Sequence, residues 1–231
     1  MLKVLRREEK YLLKKTEAIK AEKMFEKVLM TDSFSKNGSY KVRSLYFDTV
    51  DDKDFFDKVN EQEVRRKVRL RIYNPNDQYA KLELKQKQNI FQQKRSLLIT
   101  REDALELIQC HYHVLLKYDE DFAKEIYVIM SMNRYIPKTI IEYDRRAFMA
   151  KENNIRLTFD SNIRALENCK DLFSDQLYLN PVYPIENVIF EVKYDKFMLS
   201  YITDLMNLID RRSVTASKYC LGRTISYPLV L

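Results

Sequence analysis

Polar and apolar residues alternate with a period of two over much of the chain, the pattern of strands with one face on a core and the other turned away from it. In RRKVRLRIY, Arg65, Lys67, Arg69 and Arg71 share one parity, and Arg66, Val68, Leu70 and Ile72 share the other. In YAKLELKQK, Lys81, Glu83, Lys85 and Lys87 alternate with Ala80, Leu82 and Leu84. The device recurs with carboxylates included: Arg6, Glu8 and Lys10 fall on one face of LRREEKY, Arg156, Thr158 and Asp160 on one face of IRLTFD, and Glu191, Lys193 and Asp195 on one face of FEVKYD. These patterns predict eight strands, near 3–13, 40–48, 63–73, 78–88, 90–99, 136–149, 154–162 and 186–194.

Helical spacing fills the gaps between them. After Thr16, the residues Ala18, Ala21, Phe25, Val28 and Leu29 form one stripe. Thr100 with Asp103 has the form of a capping box opening a helix at 101–110. Phe122, Ile126 and Ile129 predict a helix over 119–132, and Leu199, Ile202, Leu205, Met206 and Ile209 another over 197–210. The stretch 165–186, with Asn168, Asp171, Asn180, Pro181 and Pro184, predicts a long connection.

Composition narrows the chemistry. At 231 residues and 45% apolar, the chain can build one sizeable core, so residues 1–231 are expected to form a single domain. A net charge of +7 favours anionic partners, and ten Lys and Arg residues lie between Arg65 and Arg95. With Gly38 and Gly222 the only glycines, glycine-rich phosphate loops are excluded, so any phosphate must be held by side chains. Three widely separated cysteines fit neither a disulfide scaffold nor a zinc site, and His111 with His113 has poor spacing for joint metal ligation. Neither a signal peptide nor an apolar membrane span is visible, so a soluble cytoplasmic protein is expected.

Eight mostly antiparallel strands suffice to close a barrel around a small ligand, which would turn the cationic faces inward. Cations crowded in this way repel one another and lose hydration, and the few carboxylates on those faces, Glu8, Glu83, Asp160 and Glu191, cannot neutralise them all. A phosphate chain could. The bland alternative for any one residue is a structural ion pair, such as Lys193 with Glu8 or Arg156 with Glu83.

The ordered segments RREEKYLL, VRSLYFDT, VRLRIY, KLELKQK, KRS, YDRRAF, IRLTFD, FEVKYD and SKYCLG resemble the VTC domain, the polyphosphate-polymerase branch of the CYTH-like triphosphate tunnel metalloenzymes. The resemblance runs from Arg6 to Gly222 and implies an α+β fold, an eight-stranded antiparallel β-barrel tunnel with helices packed outside. It implies a polyphosphate polymerase that moves the γ-phosphoryl of ATP or another NTP onto polyphosphate, dependent on Mn²⁺ or Mg²⁺, with a membrane protein as a possible further partner. It carries the phosphate-binding and catalytic roles to Lys10, Arg69, Arg71, Lys85, Lys94, Arg145, Arg156, Lys193 and Lys218, substrate contacts to Ser217 and Glu8, and the metal to Glu191. The choice of Lys94 over Arg95 depends on strand register, since a shift of one residue exchanges them. Two other functions fit the same residues: a hydrolase of triphosphate or NTP, and a non-catalytic module binding polyphosphate or inositol phosphates. Nucleic-acid binding is weaker, because the charge lacks any accompanying recognition motif.

Overall fold

The computed structural model describes residues 6–35, 38–88, 91–224 and 226–227. In chain order the elements are β1 (Arg6–Lys14), α1 (Lys15–Phe25), β2 (Met30–Thr31), β3 (Tyr40–Asp48), α2 (Lys53–Val59), β4 (Val64–Ile72), β5 (Tyr79–Gln88) and β6 (Phe91–Thr100). Then come α3 (Arg101–Ile108), α4 (Asp121–Met132), β7 (Ile136–Ala150), β8 (Ile155–Glu167), β9 (Asn180–Pro181), β10 (Asn187–Asp195), α5 (Ser200–Asn207), β11 (Arg212–Ser213) and α6 (Lys218–Leu221). Every long strand coincides with one of the eight expected from alternation; residues 3–5 and 90 of those expectations lie outside the described residues.

The chain divides into two compact units, and β3, β7 and β8 each contribute residues to both. The first comprises 1–41, 143–163 and 181–217. Its hydrogen-bonded order is β11-β1-β10-β8-β7, with β10 antiparallel to both β1 and β8. The odd residues of β1 and β8 and the even residues of β10 supply Leu13, Leu157, Phe159, Val188, Phe190 and Val192 to a core closed by Phe25 of α1 and by Ile202 and Met206 of α5. Phe159 and Phe190 stack with ring centres 4.6 Å apart.

The second unit comprises 42–142, 164–180 and 218–231. Here β7-β3-β4-β5-β6 follow one another, with β3 to β6 joined as antiparallel neighbours in unbroken register. Val68, Leu70, Leu82, Leu84, Leu97 and Ile99 face a core completed by α3 and α4 through Leu107, Ile126 and Met130. At the start of α2, Asp48 does the capping: its carboxylate accepts from the backbone N–H groups of Asp54 and Phe55, both at 2.9 Å.

Several expectations need correction. Among the described residues the sheet has eleven strands, and its hydrogen-bonded order is an open path with no pairing between β6 and β11. The eight-stranded closed barrel is therefore not what is seen. The additional strands β2, β9 and β11 are two residues long, too short to show alternation. Val28 lies beyond the end of α1 and is 49% exposed. Helix α3 stops at Ile108, before Cys110 takes a positive φ of 68°. Thr100 does accept from Asp103 N–H at 3.2 Å, but the return half of the capping box is made by the Tyr118 hydroxyl, which receives the Thr100 N–H at 3.1 Å. The connection after β8 is tied down, with Leu172 and Phe173 buried in the second core. Among the described residues no helix is long and apolar enough to cross a membrane.

Candidate anion-binding site

Each unit carries a polar sheet face opposite its core, and the expected site residues that lie on strands fall on these two faces, while Ser217 and Lys218 lie at the start of α6. In the second unit, register places Tyr46 of β3, Arg69 of β4, Glu83 of β5 and Ser96 of β6 in one transverse row. Glu83 is only 1% exposed. Its Oε2 accepts from Arg69 Nε at 2.7 Å and lies 3.5 Å from Arg71 Nη2, while Oε1 pairs with Lys94 Nζ. Burial opposes ionisation of this carboxyl, but Arg69, Arg71 and Lys94 outweigh it and hold the group well below the ordinary carboxylate range. One buried carboxylate thus holds three cations in place.

Lys94 belongs to this cluster, whereas Arg95 points to the other side of β6 and bonds Glu125 of α4 and Gln86. Lys85 stands between Lys67 and Lys94 in the neighbouring row, three like charges directly opposite one another. Lys218, the first residue of α6, lies close enough to Tyr46 to act on its phenol. Burial would raise that phenol, yet Arg69, Arg71 and Lys218 bring it below its usual value, so the local potential is strongly positive. Two further residues seat this face. Tyr46 accepts from Arg69 Nη1 at 2.7 Å and stacks on Tyr219 at 5.3 Å, and Tyr219 in turn donates to Asp48 at 2.6 Å.

In the first unit, Lys10, Glu191 and Thr158 form one transverse row and Glu8, Lys193 and Arg156 the next. Glu191 is 5% exposed and has Lys193 Nζ at 3.1 Å, with Lys10 Nζ and Arg145 Nη2 each at 3.9 Å. Lys10 also reaches Glu8 at 3.3 Å and donates to the Ala216 carbonyl at 3.0 Å, next to the buried Ser217. Burial lowers Lys193, as does Arg145, against the opposing pull of Glu191 and Glu8. Arg145 is buried with a two-pronged contact to Asp160, at 2.6 and 2.7 Å, and its guanidinium sits 5.1 Å from the Tyr143 ring centre. Burial works against that cation, but Asp160, Tyr143 and Glu191 raise its pKa well above the ordinary value. Arg156 pairs with Asp32 at 2.6 Å and with the Tyr40 hydroxyl at 3.2 Å, and Lys193 pairs with Glu191 while Glu8, its direct cross-strand neighbour, also favours its charge.

A hard divalent cation takes carboxylate oxygens, and here the Glu191 carboxylate already has Lys193, Lys10 and Arg145 around it. Glu191 and Glu8 supply carboxylate oxygens, both within ion-pair reach of Lys10. Among the described residues no cluster of three or more His, Cys, Asp or Glu forms a cage, so phosphate oxygens and water would have to complete the coordination.

Sequence reasoning passed over Tyr46, Tyr143 and Asp32. The tyrosines sit at ordinary strand spacing, which carries no sign of a role, and Asp32 lies in a segment whose approach to Arg156 no local pattern encodes. His111 bonds Glu106 at 2.6 Å on the surface.

The fold and these faces define an α+β protein whose antiparallel sheet presents rows of Lys and Arg, the equipment of a polyanion-binding protein. A family model for the VTC domain matches residues 5–227, and the chain belongs to that family. Among solved structures, a Bacillus halodurans protein provisionally described as an adenylate cyclase superposes with a TM-score of 0.55 at 10% identity, covering 97% of this chain and 96% of that one. This is a likeness of fold. The PH1819 protein of Pyrococcus horikoshii OT3 aligns more loosely, with a TM-score of 0.45 at 10% identity over 93% of this chain and 97% of its own. No curated protein matches the chain in sequence.

Proposed function

We propose that the chain is a metal-dependent polyphosphate polymerase that transfers the γ-phosphoryl of ATP to the end of a polyphosphate chain. Membership of the VTC domain family supports this reading, and one observation carries it. Lys67, Lys85 and Lys94 stand directly opposite one another on three adjacent strands. Rows of like charge gathered on one sheet face are what a bound polyanion complements.

On this reading Arg69, Arg71, Arg145 and Arg156 grip phosphoryl oxygens through their planar forks, while Lys10, Lys85, Lys94, Lys193 and Lys218 act as point charges and Ser217 as a neutral donor. A terminal oxygen of the acceptor chain attacks the γ-phosphorus in line. The bond from that phosphorus to the β,γ-bridging oxygen breaks, and ADP leaves with the electron pair. No protein base is needed, because the attacking phosphate oxygen is already ionised. Glu191, with Glu8 beside it, would hold Mn²⁺ or Mg²⁺, which would supply positive charge to offset that developing on the phosphoryl oxygens.

The test is to incubate the protein with ATP and Mn²⁺ and to resolve the products by phosphorus NMR, comparing wild type with Glu191→Gln. Chain-internal phosphate signals that disappear in the variant are the expected result. Orthophosphate or free triphosphate as sole product would make the protein a hydrolase instead, and unconsumed ATP would make it a binding module.

A further inference from the structure

The second unit buries two carboxylates to which the chemistry above gives no part, Asp48 at the end of β3 and Asp54 in the first turn of α2. Asp48 accepts from the backbone N–H groups of Thr49 at 2.7 Å and of Asp54 and Phe55 at 2.9 Å, and from the Tyr219 hydroxyl at 2.6 Å. Asp54 is held less completely. Its Oδ2 accepts from Tyr135 at 2.6 Å, but its buried Oδ1 has no hydrogen-bond partner, and Arg66 Nε of β4 stands 3.8 Å away. Asp57 of α2 adds negative charge on the same side. Arg223 touches the Tyr219 hydroxyl at 3.3 Å but is itself held by Asp52 and Glu167, and Asp52 also takes Lys138 and Tyr227. Two buried carboxylates set together resist ionising at once. Burial and then Asp48 push Asp54 up to about 7, and burial raises Asp48 against the hydrogen bonds it accepts.

We propose that Asp48 and Asp54 form a proton-sensitive positioning pair for the anion-binding face of the second unit: with a proton on Asp54, Asp48 holds Tyr219 and so fixes Tyr46 and Lys218, and loss of that proton loosens the hold and lowers affinity for phosphate. This rests on the functional reading above and adds to it a control by pH. The route is a chain of direct contacts. Tyr219 follows Lys218 in α6, meets Phe55 of α2 edge-on at 6.2 Å and stacks on Tyr46 at 5.3 Å, and Tyr46 accepts from Arg69 at 2.7 Å. The Asp54 N–H is one of the bonds that fixes Asp48, so repulsion that parts the two carboxylates weakens the grip of Asp48 on Tyr219. By reciprocity, an anion bound at the face favours the protonated pair.

Titration calorimetry in metal-free buffer can measure tripolyphosphate affinity between about pH 6 and 8 for wild type, Asp54→Asn and Tyr219→Phe. Tripolyphosphate gains charge as pH rises, and Tyr46 and Lys94, both lowered from their usual values, titrate beside it. Those contributions are common to wild type and Asp54→Asn, so the ratio of their affinities isolates Asp54. Across the range, wild type should weaken about tenfold relative to Asp54→Asn. Tyr219→Phe keeps the ring and leaves Asp48 capping α2 but removes the link between them. It should bind about tenfold less tightly than wild type at about pH 6 and show no further loss relative to Asp54→Asn as pH rises. A wild-type to Asp54→Asn ratio that stays constant overturns the proposal while leaving the functional reading intact, and this comparison decides by itself if Tyr219→Phe does not fold. A folded Tyr219→Phe that keeps the wild-type profile also overturns it, because the charge then acts through space and not through Tyr219. Wild type that binds no tripolyphosphate at any pH overturns the functional reading and the proposal with it.

Discussion

Replacing Glu83 with Gln tests whether one buried carboxylate organises the cationic face of the second unit. The wild-type carboxylate neutralises Arg69 and Arg71 at 2.7 and 3.5 Å and Lys94 beside them. Glutamine keeps the shape and one acceptor but removes the charge that Arg69, Arg71 and Lys94 share. Breaking a buried ion pair from one side costs about 3–5 kcal/mol, which for a chain of this size corresponds to a fall in Tm of roughly 10 °C. The pH dependence gives a second readout. Because the folded-state pKa of Glu83 is depressed, its contribution is fully present above the unfolded carboxylate value, near 4.3, and is lost as pH falls through the folded value. The gap in Tm between wild type and E83Q should therefore be large at pH 7 and shrink as pH falls below about 4. Tripolyphosphate should raise the Tm of E83Q more than that of wild type, since the added anion substitutes for the missing charge. Scanning calorimetry at both pH values, with and without tripolyphosphate, decides the matter. An E83Q protein that melts with wild type at pH 7 would refute the argument that Glu83 holds the three cations.

Two other outcomes follow from the second unit. Asp54 is buried with Tyr135 donating to it at 2.6 Å, and burial, then the neighbouring Asp48, push its pKa up to about 7. Its contribution is thus present at low pH and lost as pH rises toward 7, so Asp54→Asn should flatten the stability profile between about pH 4 and 7, by on the order of 4 kcal/mol at most, in urea titrations across that range. Gly222 follows α6, and a Cβ there would meet Ile141 Cδ1 at 2.6 Å and Cγ1 at 2.8 Å, so Gly222→Ala should cost about 1–3 kcal/mol in chemical denaturation and, by shifting α6 and Lys218, weaken tripolyphosphate binding.

The long strands were legible because alternation is a local signal, and in RRKVRLRIY and FEVKYD it also told which residues share a face. Parity could not by itself choose between Lys94 and Arg95; the register of β6 on β5, pairing Lys85 with Lys94, does so. Closure was not legible at all, since a period of two says nothing about which strands become neighbours. The same limit hid β2, β9 and β11. Helix α3 ended early where a single backbone angle intervened, at Cys110, and α2, capped from afar by Asp48, was not foreseen at all. The site followed the same division. Cations on strands were found from their spacing, whereas Asp32 and Tyr46 matter through contacts that only the assembled sheet creates.

The alternation of the two units along the chain governs how the protein can emerge from a ribosome. The first unit is built from three separated segments, the last ending at residue 217, and so is the second, which ends with the final residues. A nascent chain can assemble the locally connected β4–β5–β6 meander early, but β1 must wait for β10, more than 170 positions later, before its hydrogen bonds are met. Contacts of such long range close slowly. Until then β1 is an unpaired edge that invites association with other chains, the point at which a chaperone would have most to protect.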